Sequence, residues 1–247
     1  MTFDHFLMLM EEAYSAGSQD LKSWLLRVVL HLVQPNTGLL QSATNEEFYF
    51  LSNLAVRYQH PRLSHHVQRW WMTRIMWGQL SPLTAIGAAQ QHGFQELAGV
   101  AYYAQLCSSL EGTSPSREEC VQEIDAECRV DMLPKQTTHL INGFYSLWTR
   151  WRMLSENSPV LPQGEGCTCH NLCVDNWKAR WLAMVHRNWS IPEFDILRRL
   201  QEMSQMVKGD VLLGRALSPQ CLVKANAVMT DLRNKVTREL PHHFDLD

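Results

Sequence analysis

Cys167, Cys169, His170 and Cys173 crowd into the stretch GEGCTCHNLC, in a chain with seven cysteines in all. Thiolates and imidazole are good zinc ligands, and these four side chains match a Cys3His set by type. Their spacing matches less well. Structural zinc sites draw ligand pairs from two separate turns, because four ligands on one short segment do not readily reach the corners of a tetrahedron. Here C-x-C-H-x2-C forms a single turn with no second knuckle beside it. Cys120, Cys128 or Cys221 could complete the set from a distance. The other readings are an unmetallated loop that joins two helices, and redox or regulatory thiols.

The cluster ends the one stretch that reads as a long loop, SENSPVLPQGEG at residues 155–166, dense in Pro, Gly, Ser and Asn. The two flanking segments carry indoles at helical spacing. Leu140, Phe144, Leu147, Trp148 and Trp151 keep one face of the first, and Trp177, Trp181 and Met184 one face of the second. Arg150 and Arg180 sit beside these indoles, and aromatic plus Arg can stack on bases. A core-facing stripe is the simpler account of the same spacing. The expected picture is an antiparallel helix pair with indoles between its members and the loop at one end.

Elsewhere the pattern is helical throughout, with almost no alternating runs. Phe48, Leu51, Ala55 and Tyr58 line one face of a helix that begins after Asn45. His60-Pro61 breaks that helix, and Leu63, Val67, Trp70, Trp71 and Ile75 restart the stripe. Ser81-Pro82, Ser114-Pro115 and Ser218-Pro219 each pair a capping hydroxyl with a proline at the first helical position. Ser190 and Glu193 have capping-box spacing and mark a further start, before Ile196, Leu200, Met203 and Val207. Ala85, Gly87, Ala88, Ala89, Ala98, Gly99, Ala101 and Ala104 surround a turn at Gly93 and predict a closely packed helical hairpin. The last helix carries Leu222, Ala225, Met229, Leu232 and Val236, and Pro241 is expected to end it before a polar tail, HHFDLD. The fold class is therefore all-α, an irregular bundle of about ten helices with at most a vestigial β element near the N-terminus.

A composition that is 45% hydrophobic and 19% charged belongs to a folded chain with a sizeable core. The formal net charge of -3 excludes a strongly basic whole-molecule footprint, so a nucleic-acid partner is not expected. The N-terminal stretch places Asp4 where an export signal carries basic residues. The most apolar segment, Trp24 to Val33, is interrupted by Arg27 and His31 and is too short for the roughly 20 residues of a membrane span. An odd number of cysteines argues against a disulfide framework and for a reducing intracellular location, cytoplasm or nucleus. No G-x-S-x-G, H-E-x-x-H, Walker A or G-x-G-x-x-G sequence occurs, and no catalytic residues are assigned. The histidine pairs His65-His66 and His242-His243 read as solvated.

Several stretches, taken in order, resemble a set of fungal proteins in which a BTB/POZ domain precedes a helical C-terminal region. They are LKSWLLRVVLHLVQP, FYFLSNLAVRYQHPRL, LTAIGAAQQHGFQELAGVA, HLINGFYSLW, the cysteine cluster, WKARW and FDILRRL. In the second, Leu54, Ala55, Arg57 and Tyr58 stand where the family has a Leu-Ala-basic-Tyr signature. In the third, Ala85, Ala88, His92, Gly93, Leu97 and Ala101 fall at the family's intervals. The resemblance covers roughly residues 20 to 235 and lacks the N-terminal βαβ part of a BTB domain. The family's Tyr-Pro is here Gln34-Pro35, and similar cysteines occur in the family at the place of the cluster.

The resemblance implies a division into a BTB-like helical remnant at 1–79 and a helical extension at 80–247. It also implies a non-catalytic adaptor or scaffold with a protein partner, which could form a homodimer or recruit a ubiquitin ligase. The alternative from the residues themselves is a zinc-binding or nucleic-acid-associated regulator that uses Cys167, Cys169, His170 and Cys173. Zinc is the one cofactor the sequence could hold, and no membrane association is expected.

Overall fold

The structure is a computed structural model that describes residues 8–9, 12, 27–29, 39–110 and 132–246. Among these residues the chain is all-α, with no strand. Most of Trp24 to Val33, most of the stretch LKSWLLRVVLHLVQP, the helix start at Ser114-Pro115, and Cys120 and Cys128 lie outside the described residues. So does most of the N-terminal segment assigned the vestigial β element. No helix among the described residues is long and apolar enough to cross a membrane.

The chain divides into two compact units at Leu97/Ala98, whereas the sequence division stands at 79/80. The first unit contains α1 (Leu39–Ser42), α2 (Asn45–Arg57), α3 (Pro61–Met76) and α4 (Pro82–His92). Helix α2 packs on α3 and α4, and α1 packs on α3. Thr44, one residue before the expected start, caps α2: its hydroxyl accepts from the Glu47 amide while the Glu47 carboxylate accepts from the Thr44 amide. Most of the predicted core stripe is buried, Phe48, Leu51 and Ala55 on α2 and Leu63, Val67, Trp71 and Ile75 on α3, while Tyr58 and Trp70 are half-buried.

Asn45 joins three of these helices. Its side-chain amide donates to the Ser81 carbonyl at 3.2 Å and accepts from the Trp71 indole at 2.9 Å. Trp71 in turn stacks on Phe48, with ring centroids 5.5 Å apart. The unit thus keeps a buried indole without stranding its N–H.

The second unit begins within α5 (Gln95–Ser109) and continues through α6 (Pro134–Glu156), α7 (His170–Val185), α8 (Ile196–Gly209), α9 (Val211–Ala216) and α10 (Pro219–His243). Helix α10 is its axis: α6, α7, α8 and α9 all pack against it. Its buried stripe is Cys221, Ala225, Met229, Val236 and Leu240.

Two expectations change here. Pro241 does not end α10; it lies in the last turn, and the tail is not uniformly polar, because Phe244 is fully buried. Phe244 stacks on Tyr102 and receives the His139 Nδ1–H at its carbonyl, at 2.7 Å. That anchorage outweighs the local preference of proline. Helix α8 starts at Ile196 rather than after Ser190, because Asp195 caps it. The Asp195 carboxylate also accepts the Tyr103 hydroxyl, a tertiary partner that Ser190 lacks. Gly93 makes the expected turn between the two small-residue helices, in the left-handed region at φ +70°; α4 packs on α2 within the first unit, and within the second Gly99 of α5 faces Leu240 and Pro241.

Arg150 pairs with Glu239 and Arg180 with Asp210, while the indoles are met by Arg199. The buried Arg199 guanidinium lies 4.6 Å from the Trp151 ring and 5.6 Å from that of Trp189, and it donates twice to the Ile191 carbonyl. Burial lowers its pKa to about 10, so it remains a cation at neutral pH.

Two glycines give opposite expectations. A methyl group on Gly143 would overlap the Phe244 ring, whereas one on Gly87 meets nothing within 4 Å. Gly143→Ala should cost about 1–3 kcal/mol through overpacking, and Gly87→Ala should gain about 0.4–1 kcal/mol from the unfolded state. Thermal unfolding of both variants checks the pair, and equal shifts would contradict the packing described.

Candidate metal centre

The loop between α6 and α7 is held by the two indoles that the sequence placed in the core. Trp177 Nε1 donates to the Pro159 carbonyl and Trp181 Nε1 to the Leu154 carbonyl, both at 2.8 Å. Both rings are fully buried between α7 and its neighbours. Leu161 is also buried and pins the middle of the loop, whose remaining residues, Gly164 and Cys167 apart, are half-buried or exposed.

At its far end the loop meets the first turn of α10. Gly164 makes that approach possible, since a Cβ there would sit 2.5 Å from the Gln220 carbonyl carbon and 2.7 Å from the Cys221 amide nitrogen. The Gly164 amide donates to the Cys221 sulfur at 3.4 Å. Gly166 turns the chain in the left-handed region, at φ +73°, and the Cys167 amide closes back on the Gly164 carbonyl.

This junction brings five side chains of metal-ligand type together. Cys167, Cys169 and Cys173 have their sulfurs within 4.8 Å of one another, and so do the ligand atoms of Cys167, His170 and Cys221. Cys167 belongs to both groups. Its sulfur is 3.9 Å from that of Cys173, and the Cys221 sulfur is 3.6 Å from His170 Nδ1. The four residues singled out in the sequence are thus gathered, and Cys221, one of the three distant cysteines named, joins them from α10. Its only sequence signal is its place just after the Ser218-Pro219 helix start, which says nothing of where that helix docks.

Burial and hydrogen bonding sort the five. Cys167, Cys173 and Cys221 are buried, His170 is half-buried and Cys169 is exposed. Each buried sulfur receives a backbone N–H: Cys167 from Cys169, Cys173 from Ser218 at 3.4 Å, and Cys221 from Gly164. The Ser218 hydroxyl, with help from the Cys169 amide and the neighbouring thiols, pulls Cys167 down to about 7 against the effect of desolvation. Burial pushes Cys221 above the ordinary thiol range.

Two of the contacts have the lengths of tetrahedral edges. With zinc–sulfur bonds near 2.3 Å and zinc–nitrogen bonds near 2.05 Å, two sulfurs on one ion stand about 3.8 Å apart, and a sulfur and a nitrogen about 3.6 Å. The observed 3.9 Å and 3.6 Å lie on those edges.

A groove of about 580 Å³ runs along α6 and the end of α10, lined in part by Asn142, Ser146, Arg150, His243 and Asp245. Its polar groups bind one another: Ser146 with His243 Nδ1 at 2.8 Å, and Asn142 with Asp245 at 2.7 Å. His243 is therefore half-buried rather than solvated, and burial lowers its pKa. His65, His66 and His242 are exposed, in line with the sequence reading.

No family model, no curated protein and no solved structure matches this chain.

Gly164→Ala should push the loop off α10 at a cost of about 1–3 kcal/mol. The expected result is a lower unfolding temperature together with faster reaction of Cys221 with a thiol reagent. A variant with wild-type stability and an unreactive Cys221 would refute the close approach.

Proposed function

We propose that this chain is a zinc-binding helical module, in which Cys167, His170, Cys173 and Cys221 hold one structural Zn²⁺. The observation that carries the reading is the convergence of loop, α7 and α10 ligands in two groups that share Cys167, with two contacts of tetrahedral edge length, Cys167–Cys173 at 3.9 Å and Cys221–His170 at 3.6 Å. Cys221 supplies the second chain segment that C-x-C-H-x2-C lacks, which removes the spacing objection. Three thiolates and an imidazole suit zinc better than a hard cation. Four protein ligands, three of them buried, make a closed site of the structural kind rather than one with an open catalytic position. The ion would tie the loop and the starts of α7 and α10 into one unit.

Protein binding, implied by the BTB resemblance, is the second reading, and one observation favours it. Beside the centre, α9 exposes Val211 (64%) and Leu212 (71%), and α10 exposes Val223 (68%). Helix α9 is firmly presented: Asp210 accepts from the Leu212 and Leu213 amides and pairs with Arg180, and Asn176 donates to the Ala216 carbonyl. Rigid exposed apolar side chains are a feature of binding surfaces. An adaptor role and recruitment of a ubiquitin ligase rest on the sequence stretches alone.

Purified chain should contain one zinc by elemental analysis, and Cys173→Ser or Cys221→Ser should lose it while Cys107→Ser keeps it. Metal-free wild-type protein offers a check independent of mutant folding, since added zinc should raise its unfolding temperature. Because ligand thiols must shed protons, zinc affinity should climb as pH rises through about 7, where Cys167 ionises, and on toward the higher range of Cys221. Absence of zinc and of any zinc-induced stabilisation would end this reading. For the second, wild-type chain should self-associate in sedimentation and Leu212→Asp should not; a monomeric wild type at high concentration would set self-association aside.

A further inference from the structure

Five ligand-type side chains surround a four-coordinate centre, which leaves one over. Cys169 is that residue. It is exposed, its side chain makes no capping bond to α7, and its sulfur lies within 4.8 Å of those of Cys167 and Cys173. The buried thiols are shielded from solvent, so a reagent arriving from water meets Cys169 first. We infer that Cys169 is a hydroperoxide-reactive thiol whose oxidation expels the zinc. This rests on the zinc-binding reading above.

The chemistry balances within the cluster and one hydroperoxide. The Cys169 thiol gives up its proton as its sulfur attacks a peroxide oxygen, the O–O bond breaks, and a sulfenic acid forms while the leaving hydroxide takes up a proton and departs as water, or the leaving alkoxide of an organic hydroperoxide as alcohol. The thiolate of Cys167 or Cys173 then attacks the sulfenic sulfur. An S–S bond forms, the S–O bond breaks, and the leaving hydroxide takes a proton from solvent and departs as water. Two thiols lose two electrons and the peroxide gains them. Either partner is a zinc ligand, so the ion is left with two thiolates and one imidazole in place of three thiolates and one imidazole. The released zinc no longer ties the loop to α10. A reductant of the dithiol class reverses the disulfide and restores the site.

The test uses the full chain loaded with zinc, its content measured first. A chain that binds no zinc fails at that stage, and the failure belongs to the zinc reading. Zinc-loaded wild type and Cys169→Ser are then exposed to hydrogen peroxide while free zinc is followed with a chromogenic chelator, and disulfides are mapped by mass spectrometry. The expected result is zinc release from wild type with a disulfide that contains Cys169, and release at least about ten-fold slower from the variant. Dithiothreitol with added zinc should restore the wild type. Cys169→Ala, tested in parallel, should match Cys169→Ser. Equal release rates for wild type and variants would overturn the inference, as would a first disulfide that omits Cys169. A Cys169→Ser protein that binds no zinc, while apo wild type takes it up, would also overturn it by making Cys169 a ligand.

Discussion

The approach of the Gly164 backbone to the first turn of α10 is the constraint on which the centre depends. A side chain at Gly164 would strike Gln220 and Cys221, so the loop docks there only because that position carries none. Docking aims the Gly164 amide at the Cys221 sulfur and the Ser218 amide at the Cys173 sulfur. It also brings a cysteine from the last helix within reach of His170, more than fifty residues earlier in the chain. The two indole N–H groups of α7 hold the other end of the junction, at Leu154 in the last turn of α6 and at Pro159 in the loop. The Trp stripe and the cysteine cluster are thus two parts of one arrangement: the first fixes the loop and the second is gathered because the loop is fixed.

Buried polar groups do similar work elsewhere. Asn45 satisfies the Trp71 indole and the Ser81 carbonyl in the first unit. In the second, Tyr103 donates to Asp195 and accepts from the Leu197 amide, while Arg199 lies over Trp151 and donates to Ile191. Desolvation raises the pKa of Tyr103 and of Asp195 and lowers that of Arg199, the expected direction for charge removed from water. Each group is matched by a partner, which keeps the cost of burying it down. These contacts also select among local alternatives. Asp195 rather than Ser190 starts α8 because its carboxylate has a partner across the unit, and α10 runs past Pro241 because Phe244 is anchored against Tyr102.

Apolar spacing by itself determined that the chain is helical, where most of its helices lie, and that Phe48, Trp71, Trp151, Trp177 and Trp181 belong to the core. It could do so because the 3.6-residue period and the capping and proline signals are local, readable within one or two turns. The same local chemistry marked the cysteine loop and named Cys167, Cys169, His170 and Cys173. Three things were left to tertiary structure: which distant cysteine completes the cluster, which of its thiols are buried, and which arginine meets the indoles. Each depends on how helices far apart in the chain pack against one another, and that packing is set by summed burial and by single close approaches such as Gly164 on Cys221, which leave no periodic trace in the sequence.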